Sequence, residues 1–277
     1  MTQLIRVAHS PDSDDAFMFY ALATGKIDTG DYQVEHILKD IETLNQAALL
    51  GIYEVSAVSF HAYAFIHDRY ILLPHGASIG KGYGPLIVAK HALKPADLTS
   101  ARIAVPGKLT TAYLAMKIYD AKLEGDVVPF DEIIPSVLAG KHDAGLIIHE
   151  GQLTYAQDGL QKVLDLGAWW QGKHSMPLPL GGNVIRRDLG DRTIRNVALL
   201  ISQSIRYGLK HRSEALDYAA QFARGLDPEL MDRFVGMYVN DFTVDYSTDG
   251  RKAVQVLLDE AQKKGILKER VVAEYVG

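Results

Sequence analysis

Short apolar runs alternate along the chain with segments whose apolar residues recur at helical spacing. The run "LIRVAH" precedes "DDAFMFYALATG", and "RIAVPG" precedes "TTAYLAMKIYDAKLEG". Repeated strand and helix patterns are typical of α/β proteins, in which helices cover the faces of a sheet and return the chain to the next strand. The sequence therefore predicts an α/β fold with largely parallel sheets. From Arg192 onward, helical spacing dominates and predicts a mainly helical C-terminal third.

Two stretches combine glycine and proline with an apolar run that resembles a strand, at residues 80–95 and 176–190. Such stretches are typical of places where a chain passes from one domain to another. Two crossings indicate that a middle domain is inserted into an outer one. We therefore expect residues 1–90 and 184–277 to form an outer α/β lobe, residues 91–183 to form an inserted α/β lobe, and a cleft to lie between them.

Composition excludes several classes of function. The chain has 277 residues, a formal net charge of −5 and no cysteine, which rules out disulfides, thiolate metal sites and a cysteine nucleophile. Lysine and arginine are not gathered into runs, so we expect neither nucleic acid nor an anionic membrane as a partner. The N-terminal "MTQLIRVAHSPDSDD" lacks the features of an export signal, and no apolar run reaches the ~18 residues of a membrane helix. These features predict a cytoplasmic protein.

The segment "HSPDSDDAF" places Asp12, Asp14 and Asp15 close together. A calcium loop would also need a later glycine and glutamate, which are missing. The favoured interpretation is a turn from strand to helix in which Asp12 or Ser13 caps the helix and the acids lie at its positive end. Contact with a substrate, or with a metal, remains as an alternative.

The glycine-rich segment "GASIGKGYGP" resembles a phosphate-binding loop only superficially. Such a loop has four residues between its glycines and a serine or threonine after the lysine, whereas here three residues intervene and Gly82 follows Lys81. We interpret the segment as a hinge or as a loop that closely approaches another part of the chain.

Two polar strand ends are candidates for ligand binding. In "RIAVPGKLTTAYLAM" a helix begins near Thr110 and Thr111, and its free N–H groups suit a carboxylate or another anion. The alternative interpretation is an ordinary helix cap that binds no ligand. In "YEVSAVSFHAYAF", Ala57 and Ser59 share one side of a strand. The strand ends of an α/β sheet face the ligand crevice, so Ser59 is a candidate contact.

The stretch "AGLIIHEGQLTY" runs from apolar residues directly into His149 and Glu150. If it is a buried strand, His149 lies at the carboxyl end, where an imidazole can accept a proton near neutral pH. A core histidine bonded to backbone groups is the alternative. Glu150 is a weak candidate for orienting His149, because adjacent strand residues point to opposite faces. The order of residues is not H-E-x-x-H, so the zinc-protease motif is absent.

Five segments taken together resemble the 1,4-dihydroxy-6-naphthoate synthase family of the futalosine route to menaquinone: "HSPDSDDAFMFYAL", "VPGKLTTAYLA", "AGLIIHEGQLTY", "DLGAWW" and "LPLGGNVIRRDLG". The resemblance spans nearly the whole chain. It implies a type 2 periplasmic-binding-protein fold and a lyase that cleaves cyclic dehypoxanthinyl futalosine without a cofactor. It also implies that His149 is the proton acceptor. The substrate-binding positions would be Ala57, Val58, Ser59, Thr111 and Ala112.

Two other functions use a similar fold. A solute-binding protein has the same two lobes but normally carries an export signal, which is not recognisable here. Chorismate dehydratase belongs to the same pathway, but we do not expect it to contain the "GLIIHE" block. We therefore expect an enzyme that binds a small anionic substrate and needs neither a metal nor another cofactor.

Overall fold

The strands of the protein form two sheets. The structure is a computed structural model that describes residues 2–277. The first sheet has six strands, in the order β2-β1-β3-β11-β4, with β5 paired to β11. Its strands are β1 (Gln3–His9), β2 (Tyr32–Leu38), β3 (Val55–Ser59), β4 (Tyr70–Leu72), β5 (Ser78–Gly80) and β11 (Leu178–Arg186). β1 runs parallel to β2 and β3, whereas β11 runs antiparallel to β3, β4 and β5.

The second sheet has five strands in the order β10-β6-β9-β7-β8. They are β6 (Leu86–Ala89), β7 (Ile103–Val105), β8 (Asp126–Val127), β9 (Ala144–Ile147) and β10 (Gln161–Asp165). β7 is parallel to β8 and β9, but β6 is antiparallel to β9 and β10. Both sheets are therefore mixed, and the prediction of largely parallel sheets was wrong. The antiparallel pairs involve the strands next to the passages between the sheets, because there the chain arrives from the other sheet and not through a local helix.

The chain passes between the sheets twice. By strand membership, the passages lie at residues 81–85 and 166–177, several residues before the predicted limits at 90 and 183. Strand membership does not define domain limits, so the limits themselves stay a prediction. The two passages touch: a Cβ on Gly167 would lie 2.2 Å from the carbonyl carbon of Tyr83, and one on Gly84 would lie 3.1 Å from Gly167 Cα. The prediction that this glycine-rich loop closely approaches another segment is confirmed.

Twelve α-helices surround the sheets within the described residues. They are α1 (Ser13–Ala23), α2 (Ile41–Leu49), α3 (Phe60–Tyr63), α4 (Thr111–Tyr119), α5 (Ile133–Leu138), α6 (Gly151–Thr154), α7 (Leu166–His174), α8 (Asp191–Lys210), α9 (Arg212–Ala219), α10 (Pro228–Tyr238), α11 (Asp241–Val244) and α12 (Ser247–Lys263). Four short 3-10 helices lie at Pro95–Ser100, Phe130–Glu132, Arg187–Leu189 and Ala220–Phe222.

The C-terminal third is mainly helical, as the sequence predicts. In α8 the buried side chains of Val197, Ile201 and Ile205 recur at helical spacing and pack against α1. A second hydrophobic cluster is continuous from Val58 in the first sheet to Leu146 in the second. Burial of such side chains stabilises the fold by about 1.5–3 kcal/mol each, so the cluster holds the two sheets against each other.

Candidate active site

A cavity of about 130 Å³, partly open to solvent, lies between the two sheets. Its wall includes Ser10 after β1, Ser59 at the end of β3, Thr111 after β7 and Ile148 after β9. All four lie at the carboxyl ends of strands, the usual place for a ligand in an α/β sheet. The cavity is therefore the candidate site.

Ser59 lies in the cavity wall with its orientation fixed by Asn45 of α2. The Ser59 N–H donates to Asn45 Oδ1 at 2.9 Å, and Asn45 Nδ2 donates to Ser59 Oγ at 3.1 Å. Because Oγ already accepts from Asn45, its hydroxyl proton is the part left to donate to a ligand. The neighbouring Ala57 and Val58 also line the cavity.

The start of α4 faces the same cavity. Thr110 is the N-cap: its hydroxyl accepts from the Tyr113 N–H at 3.2 Å and donates to the Gly107 carbonyl at 2.8 Å. Thr111 and Ala112 are the first two residues of the helix, so their N–H groups have no partner inside it. Both residues line the cavity, where these N–H groups and the helix dipole favour an anion.

Asp12, Asp14 and Asp15 form an acidic part of the wall. Asp12 occupies the N-cap position of α1, but its carboxylate makes no capping hydrogen bond there. Asp15 instead accepts from the Ser10 N–H at 2.7 Å. Burial raises the pKa of Asp15 to about 7, and burial together with the nearby Asp15 and Asp12 raises the pKa of Asp14 well above its usual range. This side of the cavity therefore holds carboxyl groups that resist ionisation.

His149 lies behind the cavity wall. β9 ends at Ile147, and Ile148, not His149, reaches the cavity. The imidazole lies in the turn before α6, where Nε2 donates to the Phe130 carbonyl at 3.1 Å and Nδ1 accepts from the Gly151 N–H at 3.1 Å. The Gly151 N–H makes Nδ1 the unprotonated nitrogen. Burial lowers the pKa of His149, which keeps the ring neutral near pH 7.

Backbone groups, and not Glu150, orient this imidazole. The closest Glu150 carboxylate oxygen lies 4.0 Å from His149 Nδ1, beyond hydrogen-bond distance. Glu150 instead accepts from Arg224 at 3.0 Å. Burial and the nearby Asp12 raise the pKa of Glu150 to about 7. The structure thus combines both sequence interpretations of His149: it is a buried histidine bonded to backbone groups, and it lies next to the cavity.

Side chains connect the two sides of the cleft. Tyr238 of α10 donates to Gln152 Oε1 at 2.9 Å, and the Leu109 N–H donates to Glu42 Oε2 at 3.2 Å. In both pairs one residue belongs with the first sheet and the other with the second. Hydrogen bonds therefore bridge the two sides of the cleft at two places.

Asn183 of β11 presents an unused acceptor in the cavity wall. Its Nδ2 donates to the Gly76 carbonyl at 3.1 Å, while Oδ1 is buried without a hydrogen-bond partner among residues 2–277. The residue is only 1% exposed, so this oxygen is suited to a donor from a bound molecule. Sequence reasoning missed both Asn183 and Asn45. The sequence feature that could have identified Asn45 is its position as a polar residue next to Leu44, on the buried side of α2.

Two kinds of feature are absent from residues 2–277. In this part of the chain, no three His, Cys, Asp or Glu side chains lie close enough together to hold a metal ion. None of its helices has the length and hydropathy of a membrane span.

The sequence is similar to proteins of menaquinone biosynthesis. A family model described by those words matches residues 5–263. A Thermus thermophilus protein named 1,4-dihydroxy-6-naphtoate synthase is 41% identical over 264 residues, which cover 95% of this chain and 96% of that protein. A Streptomyces coelicolor protein of the same name is 36% identical over 269 residues, covering 95% and 94% respectively.

The fold is also found in solved structures. A crystal structure of an Archaeoglobus fulgidus protein has a TM-score of 0.91 and 48% identity, covering 95% of this chain and 98% of that one. The alkanesulfonate-binding protein SsuA of Xanthomonas axonopodis pv. citri, bound to MOPS, has a TM-score of 0.75 at 15% identity, with coverage of 98% and 96%. The second likeness concerns the fold alone, and it confirms the predicted α/β fold of the periplasmic-binding-protein type.

Proposed function

The chain belongs to the menaquinone-biosynthesis family and is an enzyme of that pathway, and from this premise we propose that it cleaves cyclic dehypoxanthinyl futalosine to 1,4-dihydroxy-6-naphthoate. The reaction would be that of a carbon–carbon lyase. The two relatives named 1,4-dihydroxy-6-naphtoate synthase support the product, since each matches this chain over almost its whole length.

The observation that carries the proposal is the donor-rich end of the cavity. The free N–H groups of Thr111 and Ala112 and the hydroxyl of Ser59 all face one space. A carboxylate there would gain charge-assisted hydrogen bonds from groups that have no competing partner inside α4. This end would hold the carboxylate of the substrate, and its ribose-derived hydroxyls would lie toward acceptors such as Asn183 Oδ1.

His149 would be the general base. A neutral ring with its hydrogen on Nε2 has one basic atom, Nδ1, and the Phe130 carbonyl fixes this tautomer. Because Nδ1 accepts from the Gly151 N–H and lies behind Ile148, the Ile148 side chain has to move aside when substrate binds, and Nδ1 has to exchange the Gly151 N–H for the substrate proton. Removal of a proton from the ribose-derived part of the substrate would then start the fragmentation, which is favoured by the aromaticity of the naphthoate product.

The proposed reaction needs no metal, redox cofactor or nucleotide, because cleavage begins with proton removal and releases an aromatic product. Dialysis against a strong chelator should therefore leave the rate unchanged. A loss of activity that a divalent ion restores would contradict this part of the proposal. Nucleic acid and membranes are not proposed as partners, given the net charge of −5.

Incubation of the purified protein with cyclic dehypoxanthinyl futalosine tests the function, with chorismate as a parallel substrate. Formation of the naphthoate, followed by its absorbance and by chromatography, is the expected result. Turnover of chorismate alone would identify a dehydratase instead. Tight binding of the futalosine derivative without turnover would identify a solute-binding protein.

A further inference from the structure

Arg224 joins the two sides of the cleft next to the turn that carries His149. It lies between the 3-10 helix Ala220–Phe222 and α10, which pack with α1 of the first sheet. Its guanidinium lies 2.6 Å from Asp12 Oδ1 and donates to Glu150 Oε2 at 3.0 Å. Asp12 precedes α1, and Glu150 follows His149 directly.

The same guanidinium also packs on Phe130. The Arg224 Cζ lies 4.7 Å from the centre of the Phe130 ring, and the His149 ring contacts this phenyl ring edge-on at 5.0 Å. Phe130 therefore contacts both the arginine and the imidazole, and its carbonyl accepts from His149 Nε2. The arginine touches the residue that orients the proposed base.

The backbone conformation of Arg224 indicates that these contacts are specific. Its φ is +47°, in the left-handed region that residues other than glycine rarely adopt. Such a conformation persists only where surrounding contacts compensate for its cost. A guanidinium that binds two carboxylates and a ring supplies those contacts.

We propose that Arg224 is a positioning residue, which fixes the His149 turn against the first-sheet side of the cleft and thereby couples cleft closure to the placement of the base. The inference rests on the proposed function of His149. Tyr238 supports the same turn through Gln152, so residues 149–152 are held from two points. When the cleft opens, Arg224 stays with Asp12 on the first-sheet side and leaves Glu150, so the turn loses its fixed position.

The titration of His149 in Arg224→Gln tests the proposal independently of catalysis. The charged groups that face His149 are Asp12, Asp131, Glu150 and Arg224. The pH titration of His149 is followed by NMR in histidine-labelled protein. Loss of the guanidinium should move the pH midpoint of this titration upward. The reason is that a cation opposing the imidazolium is gone and the loosened turn is better hydrated.

Arg102→Gln is the matched control. Arg102 forms a two-pronged ion pair with Asp143, but both residues lie near the second sheet, away from the cleft-closing contacts. Its removal should change neither the His149 midpoint nor turnover. Thermal unfolding of both variants verifies that they fold.

Kinetics provide the second readout. Arg224→Gln should lower kcat by about 10- to 100-fold, the usual effect of misplacing a catalytic group by about 1 Å. Glu150→Gln should lower it as well. The double variant should be no slower than the slower single variant, because both changes break the same Arg224–Glu150 contact.

An unchanged His149 midpoint in Arg224→Gln overturns the proposal, and so do strictly additive losses in the double variant. If Arg224→Gln does not fold, Arg224→Lys replaces it: an ammonium keeps the charge but cannot span both carboxylates, so the midpoint should rise less and turnover should still fall. If the wild type does not convert the futalosine derivative, the proposed function fails, while the His149 titration still decides the role of Arg224.

Discussion

The side-chain amide of Asn45 binds Ser59 twice, through the Ser59 N–H at 2.9 Å and through Oγ at 3.1 Å. Asn45 is completely buried, so neither hydrogen bond competes with solvent. The amide directs the Ser59 hydroxyl proton away from Asn45, and a ligand in the cavity is the available acceptor.

Replacement of Asn45 by leucine should weaken substrate binding. The Ser59 N–H would lose its partner inside the protein, at a cost of about 1–3 kcal/mol, and the hydroxyl would lose its fixed orientation. We expect KM to rise by about tenfold, given 1.4 kcal/mol per tenfold change. Steady-state kinetics measure this effect, with the exposed β2 substitution Gln33→Leu as the control. A variant that folds and has the wild-type KM would show that Ser59 needs no positioning.

Thr111→Val should also weaken binding while leaving α4 intact, because the capping hydroxyl belongs to Thr110. Because the Thr111 hydroxyl is proposed to bond to the substrate, its removal should cost about 1–3 kcal/mol of binding free energy. Calorimetric titration with substrate analogue or product measures the change. The exposed Thr99→Val is the matched control. Equal affinity in both variants would remove Thr111 from the site.

His149→Asn should preserve the fold and cut turnover. Asparagine can still accept from the Gly151 N–H but offers no base near pH 7, so kcat should fall by about 100-fold or more, the usual scale of general-base catalysis. In the wild type, turnover should decline at acidic pH, once His149 takes up a proton. The control is His91→Asn, on an exposed histidine. Near-normal turnover in a folded His149→Asn protein would disprove the assignment.

His75 should make stability depend on pH. Burial lowers the pKa of His75 to about 4, below its ordinary 6.5, while Nε2 donates to the Ala198 carbonyl. The unfolded chain therefore binds a proton that the folded protein excludes, and the contribution of His75 to stability is lost as pH falls from about 6.5 toward 4.

In His75→Gln, which keeps a donor for Ala198, the loss of unfolding free energy between pH 7 and pH 4.5 should be smaller than in the wild type. Urea unfolding at the two pH values measures it, and the exposed His91→Gln should match the wild type. An identical pH dependence in His75→Gln would mean that His75 is hydrated in the folded state.

Local patterns predicted the α/β class, Ser59 at a strand end and a helix start near Thr111, whereas the periplasmic-binding-protein type and the positions Ala57, Val58 and Ala112 were implied by the family resemblance. Alternating apolar runs identify strands, and a glycine–proline turn before Thr110 identifies a helix start. The prediction of where β9 ends was less accurate. His149 was expected on the strand, but the strand ends at Ile147 because the imidazole closes a turn with the Gly151 N–H.

Contacts between distant segments were not predictable from local patterns. Arg224 lies 74 positions from Glu150, and nothing in its surrounding sequence indicates an ion pair at that distance. The antiparallel arrangement of β11 has the same origin, since its direction is set by the passage from the other sheet. Local spacing determines which segments become strands and helices, whereas tertiary packing determines their partners.

The late position of β11 in the chain has a consequence for biosynthesis. β11 pairs with β3, β4 and β5, but a ribosome makes every strand of the second sheet before it reaches Leu178. Until then, the β3 edge of the nascent first sheet lacks its partner, and unpaired edges promote aggregation. Pairing over so long a separation is also slow. The first sheet can therefore be completed only after residues 178–186 have been synthesised.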